Sequence, residues 1–323
     1  MREKLKSMFE RLDSRFDVLT QVLNAVHLGS VLSSRTEFRA PWALHYGETG
    51  QRAGFHVVAA GKCWASLDTS DNYVALGPGD IVVFPHGAGH TLGDHPTTPA
   101  IDLGELVAEL APGDQINLPS GERGEPTVLL CGSYSFAVDG ANPLLRGLPQ
   151  LLHVPADQTR GGAVEAAISL LAAEVGNANS GSALVVDRLV DLLFVYALRT
   201  WLGQQDAAKV QTWFGALQDP VVGPTIRAVH DDPAHAWTVA DLAQRSGMSR
   251  AAFVRRFHQA VGEPPLAYVT RWRMTTAAEL LAQGERIASV AHQVGYDNEF
   301  AFAKAFKRVR GVAPGQIRRR YAG

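Results

Sequence analysis

Cysteine is nearly absent from this chain, with only Cys63 and Cys131 in 323 residues. Two thiols exclude a disulfide framework and a CxxC…CxxC zinc module, and they suit a reducing compartment. Long apolar runs are missing as well. Leu192–Leu198 is among the longest, and it falls far short of the ~18 residues a membrane span requires. The charged start, Met1 to Ser7, is followed by no apolar stretch of the secretory kind, so no signal peptide is expected. Together these absences predict a cytoplasmic protein with no membrane partner. An excess of one charge is lacking too, since 30 Lys+Arg stand against 32 Asp+Glu for a net −2. What the chain does have is length and 46% hydrophobic residues, enough for two or three domains with a packed core in each.

The near-zero total conceals an asymmetry. Residues 1–220 hold 15 Lys+Arg against 24 Asp+Glu, whereas residues 221–323 hold 15 against 8. An acidic body joined to a basic C-terminal hundred points to a polyanion partner for the basic part. A solvated basic face without a partner gives the same totals, so a more specific signal is needed.

Residues 35–140 read as β. Short apolar runs (Phe55–Ala60, Ile81–Phe84, Val128–Leu130) are separated by turn signals such as Gly77-Pro78-Gly79-Asp80, which fits a type II turn. Many short strands with Gly/Pro punctuation predict a sandwich or small barrel. A short amphipathic helix is expected before it, from Phe16, Leu19, Val22, Leu23 and Val26 at helical spacing. From about Gly161 the periodicity turns helical, with helices predicted over 162–175 and 182–201. The second carries a wide apolar stripe (Leu184, Val185, Leu189, Leu192, Leu193, Val195, Tyr196, Trp201), buried either under the barrel or against a copy of itself. Residues 204–206 and Asp219-Pro220 mark the boundary before the last domain.

In the basic part, Thr238 with Asp241 is a cap signal opening a helix. Leu242 and Ala243 face inward, Gly247 suits a helix end that needs positive φ, and Ser249 offers the cap of a second helix. Two short helices joined by such a turn form a helix-turn-helix. On the second helix Phe253 and Phe257 share the core face, while Ala251, Arg255 and His258 point outward with Arg250 and Val254 at the edges. Arg255 fits guanine O6/N7 and the Ala251 methyl fits thymine.

The arrangement recurs. Leu242, Ala243 and Gly247 map onto Val290, Ala291 and Gly295 at an offset of 48, and Phe253 and Phe257 onto Phe302 and Phe306 at 49. Phe300, Lys304 and Lys307 then take the outward face, flanked by Glu299 and Ala303, behind Asn298. A helix predicted from Pro265 to about Gln283, ~28 Å long, would hold the two units at a spacing that suits adjacent major grooves ~34 Å apart.

These residues carry a resemblance. With the Arg273-Met274 pair, Gly295-Tyr296, Phe302…Phe306 and Gly311-Val312-Ala313-Pro314, nearly all of residues 221–320 resembles the DNA-binding domain of AraC/XylS-type transcription regulators. The resemblance implies that double-stranded DNA is the partner. It implies base readout chiefly by Arg250, Ala251, Val254 and Arg255, with more phosphate contact from Glu299, Phe300, Ala303 and Lys304; Ser249, His258, Asn298 and Lys307 complete the expected DNA-binding faces. A homodimer through the central helices and an activator's contact with RNA polymerase are also expected.

The β region carries a second motif. Gly79, Pro85, Gly87 and His90 satisfy Gly-x5-Pro-x-Gly-x2-His, the second cupin motif, which aims His90 into the barrel. The first motif is incomplete, because only His56 stands where two His and a Glu are usual. The N-terminal part nonetheless resembles the cupin-type sensor domain fused to some AraC-type regulators, through Val31–Ser34, Pro41–Leu44, Phe55-His56, Gly77–Asp80, Pro85–Gly87 and Cys131-Gly132. Two readings of its chemistry follow. His56, His90 and Cys131, with His86 or His95, make a substitute site for Zn²⁺ or a similar transition metal, against histidines packed or hydrogen-bonded in the barrel. Cys63 and Cys131 make a redox switch if exposed and of low pKa, against buried small hydrophobes.

The expectation is a multidomain α+β regulator, not an enzyme. It has a cupin-like β-barrel over 1–155 that senses a small-molecule, metal or oxidant effector. A helical linker and dimerisation segment follows over 156–220, then an all-α domain with two helix-turn-helix units over 221–323. The competing class is a metal-dependent cupin enzyme with a basic helical tail. Its missing motif-1 ligands and the repeated helix-turn-helix argue against it.

Overall fold

The computed structural model describes residues 18, 20, 22, 28–50, 52–108, 121–136, 147–176, 179–205 and 213–321. Among these residues, ten strands build two five-stranded sheets. They are β1 (Leu28–Ala40), β2 (Ala43–Tyr46), β3 (Arg52–Ala60), β4 (Cys63–Leu67), β5 (Tyr73–Leu76), β6 (Ile81–Phe84), β7 (His90–Gly93), β8 (Ile101–Asp102), β9 (Arg123–Phe136) and β10 (Leu152–Val154). One sheet runs β1-β9-β3-β6-β10 and is antiparallel throughout; the other runs β5-β4-β7-β2-β8, with β2 and β8 parallel. The core lies between them. Phe38, Val58, Val82, Phe84 and Leu129 come from the first sheet, and Leu44, Ala65, Leu76 and Leu92 from the second.

The sequence predicted a cupin-like sandwich or small barrel, and the structure has it as two packed sheets that do not close into one ladder. Three of the four sheet edges, β5, β8 and β10, are only two to four residues long. Edges that short cannot carry a hydrogen-bond ladder round from one sheet to the other. The expected turn is present, as the Asp80 N–H donates to the Gly77 carbonyl at 3.0 Å. Helix α1 (Leu103–Ala108) follows β8.

Helices α2 (Ala163–Gly176) and α3 (Ser182–Gln204) belong to the same compact unit as the strands. The apolar stripe of α3 divides. Leu189, Val190, Leu193, Phe194, Ala197 and Leu198 are buried, and α3 packs on β1 and β10. Tyr134 of β9 fixes the contact, donating to the Val190 carbonyl at 3.2 Å with its ring 4.7 Å from Phe194. Leu184, Val185 and Leu192 stay exposed on α3. The amphipathic helix expected over Phe16–Val26 lies largely outside the described residues.

The second compact unit holds α4 (Trp213–Gln218), α5 (Val222–Asp231), α6 (Val239–Arg245), α7 (Arg250–Val261), α8 (Pro265–Ala282), α9 (Ile287–Gln293), α10 (Glu299–Arg310) and α11 (Pro314–Tyr321). Its repeat is metrical. Gly247 and Gly295 adopt φ of +67° and +79°. Beside them, Met248 N–H reaches Ala243 O at 3.1 Å and Tyr296 N–H reaches Ala291 O at 2.9 Å. The pairs Phe253–Phe257 and Phe302–Phe306 both stand 5.5 Å apart at 52°. The two helices α7 and α10 have twelve residues each and end on glycines with positive φ. α8 is shared scaffold, with Met274, Ala277 and Leu281 packed against Val290, Val294, Phe302 and Phe306.

Candidate functional site

The cap signals read in the sequence set the register of α6, α7 and α10. Thr238 and Asp241 form a complete capping box. The Ser249 and Asn298 side chains accept from the Ala252 and Ala301 N–H groups. With the Phe pairs inward, the opposite faces open to solvent. Ser249, Arg250, Ala251, Arg255 and His258 are exposed on the first unit, and Asn298, Glu299, Phe300, Lys304 and Lys307 on the second; Val254 and Ala303 are half-buried at the edges. Neighbouring cations are already engaged. Arg256 pairs with Asp219 at 2.9 Å, and Asp219 also caps α5 by accepting from Val221 and Val222 N–H. Burial would raise the Asp219 pKa, but those donors and Arg256 hold it below the usual carboxylate value. Arg273 on α8 donates to Pro233 O at 2.7 Å, His235 O at 2.8 Å and Gly295 O at 3.4 Å. The Arg255 guanidinium has no partner among the described residues. Free cations on one face and tethered ones behind it are what a duplex-binding surface requires.

Between the two sheets lies the second constellation. His56 of β3 and His90 of β7 bring their Nε2 atoms to 2.9 Å, both rings buried. The His90 ring is held between Phe84 at 3.6 Å and Tyr46 at 4.9 Å, nearly parallel to both. Burial lowers the pKa of His90 to about 4 and that of His56 well below the ordinary value, so both rings are neutral at pH 7. Hydrogen bonding then fixes their tautomers. His90 Nδ1 lies 2.8 Å from the Ala88 carbonyl and must carry the proton. Its Nε2 therefore accepts, and His56 Nε2 donates. That leaves a lone pair on His56 Nδ1, which is buried without a partner among the described residues.

The expected metal set contracts accordingly. Among the described residues no three His, Cys, Asp or Glu side chains gather closely enough to hold a metal ion. Cys131 faces the Tyr46 hydroxyl at 4.0 Å. His86 is turned to the Leu148 carbonyl at 2.9 Å, and His95 to Thr97 Oγ1 at 2.9 Å. The redox expectation is corrected as well. A reactive thiol has to be exposed and of low pKa, yet Cys63 and Cys131 are both buried and burial pushes each thiol up to about 12.

The sequence reading missed the aromatic clamp on His90, which arises because Tyr46 pairs with His90 across β2 and β7. It also missed His45, on the other side of β2. His45 Nδ1 meets Asp102 Oδ2 at 2.6 Å and its Nε2 meets Asp68 Oδ2 at 3.0 Å, so both nitrogens donate when the ring is protonated. The Asp68 hydrogen bond, then that of Asp102, raise the His45 pKa above 6.5, and the His45 hydrogen bond lowers that of Asp102. A raised folded value means this strap is fully formed below about pH 6.5 and fades as pH climbs through the raised value. Asp102 adds the opposite limit, fading as pH falls through its lowered value. The melting temperature gap between wild type and His45→Gln should therefore be wider at pH 6 than at pH 9. A gap independent of pH would mean that the ring is not charged.

Comparison with known proteins follows this division. Residues 17–203 match a cupin family, and residues 242–320 match a helix-turn-helix domain family. A putative AraC-like transcription regulator of Streptomyces lividans is 34% identical over 304 residues, covering 94% of this chain and 98% of that protein. A second putative AraC-like transcription regulator, from Streptomyces antibioticus, is likewise 34% identical with the same coverage. The crystal structure of ToxT from Vibrio cholerae O395 is 12% identical, covering 92% of this chain and 98% of that one with a TM-score of 0.37. Among the described residues no helix is long and apolar enough to cross a membrane.

Proposed function

The chain belongs to the AraC-like transcription regulators, with a cupin domain ahead of its helix-turn-helix domain, and we propose that it is a one-component switch whose two-sheet unit senses an effector. The observation that carries the reading is the repeated pair of outward faces on α7 and α10, each with exposed cations that have no partner among the described residues. On α7, Arg250, Ala251, Val254, Arg255 and His258 read base edges beside the Ser249 cap. On α10, Lys304 and Lys307 add phosphate contacts, with Asn298, Glu299 and Ala303 at its flank. The protein carries out no chemistry of its own and works in the cytoplasm. Leu184, Val185 and Leu192 on α3 supply a homodimer contact, and the DNA-bound form touches RNA polymerase.

The effector is a small molecule, and the buried, unpartnered His56 Nδ1 favours one that offers it a hydrogen-bond donor. Two histidine nitrogens alone fall short of the three protein ligands that an open zinc site uses, so a metal is the weaker reading. Effector binding shifts the balance between arrangements of the DNA-binding domains that do and do not match an operator, which requires different affinities for the two.

Mapping of the genomic sites bound by the full-length protein tests this. The bound fragments should share one motif, and affinity for it should fall steeply with salt as counterions are released. Fragments with no common motif would overturn the reading.

A further inference from the structure

Phe300 is 81% exposed, more than any other large hydrophobic residue among those described. It stands in the first turn of α10, directly after Glu299 and the Asn298 cap. Nothing about folding accounts for it there. The core of this unit is closed by Phe302 and Phe306, both fully buried, and an aromatic ring is a poorer helix former than alanine. Burying nothing, the ring leaves most of its apolar surface in water, which is unfavourable until something covers it.

What covers it can be read from the internal repeat. At the offset of 49 that superimposes the Phe pairs, Phe300 takes the place of Ala251, Lys304 that of Arg255 and Lys307 that of His258. Both outward faces therefore have the same order, an apolar side chain in the first turn and a cation one turn later. Lys304, Lys307 and Arg308 are all exposed, and they would strand positive charge against an apolar protein surface. A polyanion offers the opposite combination. In the major groove of DNA the phosphates lie at the rim, and the thymine C5 methyl is the one apolar group on a base edge.

We propose that Phe300 is a specificity-determining residue that covers a thymine C5 methyl in the major groove, so that the second helix-turn-helix selects sequence by apolar contact rather than only gripping phosphates. The inference rests on the DNA-binding reading above.

The test replaces thymine with uracil, which removes that methyl and nothing else. Full-length protein would be titrated against its mapped operator, with each thymine replaced singly by uracil. Wild type should bind about fourfold more weakly at one position, as expected for loss of one buried methyl-sized contact. That position should lie about one helical turn from the base pair relaxed by Arg255→Ala. Phe300→Ser, which offers no apolar group to the methyl, should bind the thymine and uracil operators alike, at the wild-type uracil level. Phe300→Gln should shift the selected base at that position toward adenine, whose N6/N7 edge glutamine fits. Wild type indifferent to every uracil, or a uracil penalty that persists in Phe300→Ser, overturns the proposal and leaves the DNA-binding reading intact. Absence of any sequence-selective binding by wild type overturns both.

Discussion

Arg255→Ala should cost about 1–3 kcal/mol of operator binding, about 5- to 150-fold in Kd, and relax the preference at a single base pair. The size follows from the geometry of the guanidinium. Arg255 is exposed on the outward face of α7 and is free to make two parallel hydrogen bonds to guanine O6 and N7. Its neighbour Arg256 supplies the control, because that side chain is tied to Asp219 and its loss should leave base preference alone. Competition binding at fixed salt, with all four bases at each operator position, separates the two. An unchanged preference in Arg255→Ala would show that α7 presents a different face to the duplex.

Gly295→Ala should destabilise the C-terminal unit by about 2–5 kcal/mol, whereas the twin substitution Gly247→Ala should cost about 1–2 kcal/mol. Both glycines hold positive φ, so the strain of placing an L side chain there is common to the pair. Their surroundings are not. An added Cβ at Gly247 meets nothing within 4 Å among the described residues. At Gly295 it would lie 2.5 Å from Ala234 O, 3.0 Å from Ala234 Cα and 2.8 Å from Arg273 Nη2. Two of those atoms are backbone and cannot swing aside. Urea unfolding of the full chain, followed by circular dichroism, measures both variants. Equal losses would place the whole cost in the turn conformation and none in the contact with Ala234.

The C-terminal unit was legible in the sequence because its signals are local. Thr238 with Asp241, Ser249, the glycine after each first helix and the phenylalanines four apart each act within one or two turns, and the structure places them as capping box, helix cap, positive-φ turn and inward pair. The β unit was legible only in part. The second cupin motif brought His90 to the interior, but its partners come from strand register across long separations. Tyr46 reaches His90 by pairing of β2 with β7, and Asp102 reaches His45 because β8 lies parallel to β2. No periodicity within one segment encodes those pairings. The split of the apolar stripe on α3 was equally hidden, since Leu189 and Leu192 look alike until a sheet covers one of them.

Arg273 gives the C-terminal unit a property that neither helix-turn-helix has alone. Its guanidinium spends its donors on the Pro233, His235 and Gly295 carbonyls, so the second reading head is braced to the loop ahead of the first. A braced pair measures phase. Lengthening an operator by one base pair turns its far half by about 35°, away from a head that has no slack to follow. Two correct words at the wrong interval are then a wrong sentence to this protein.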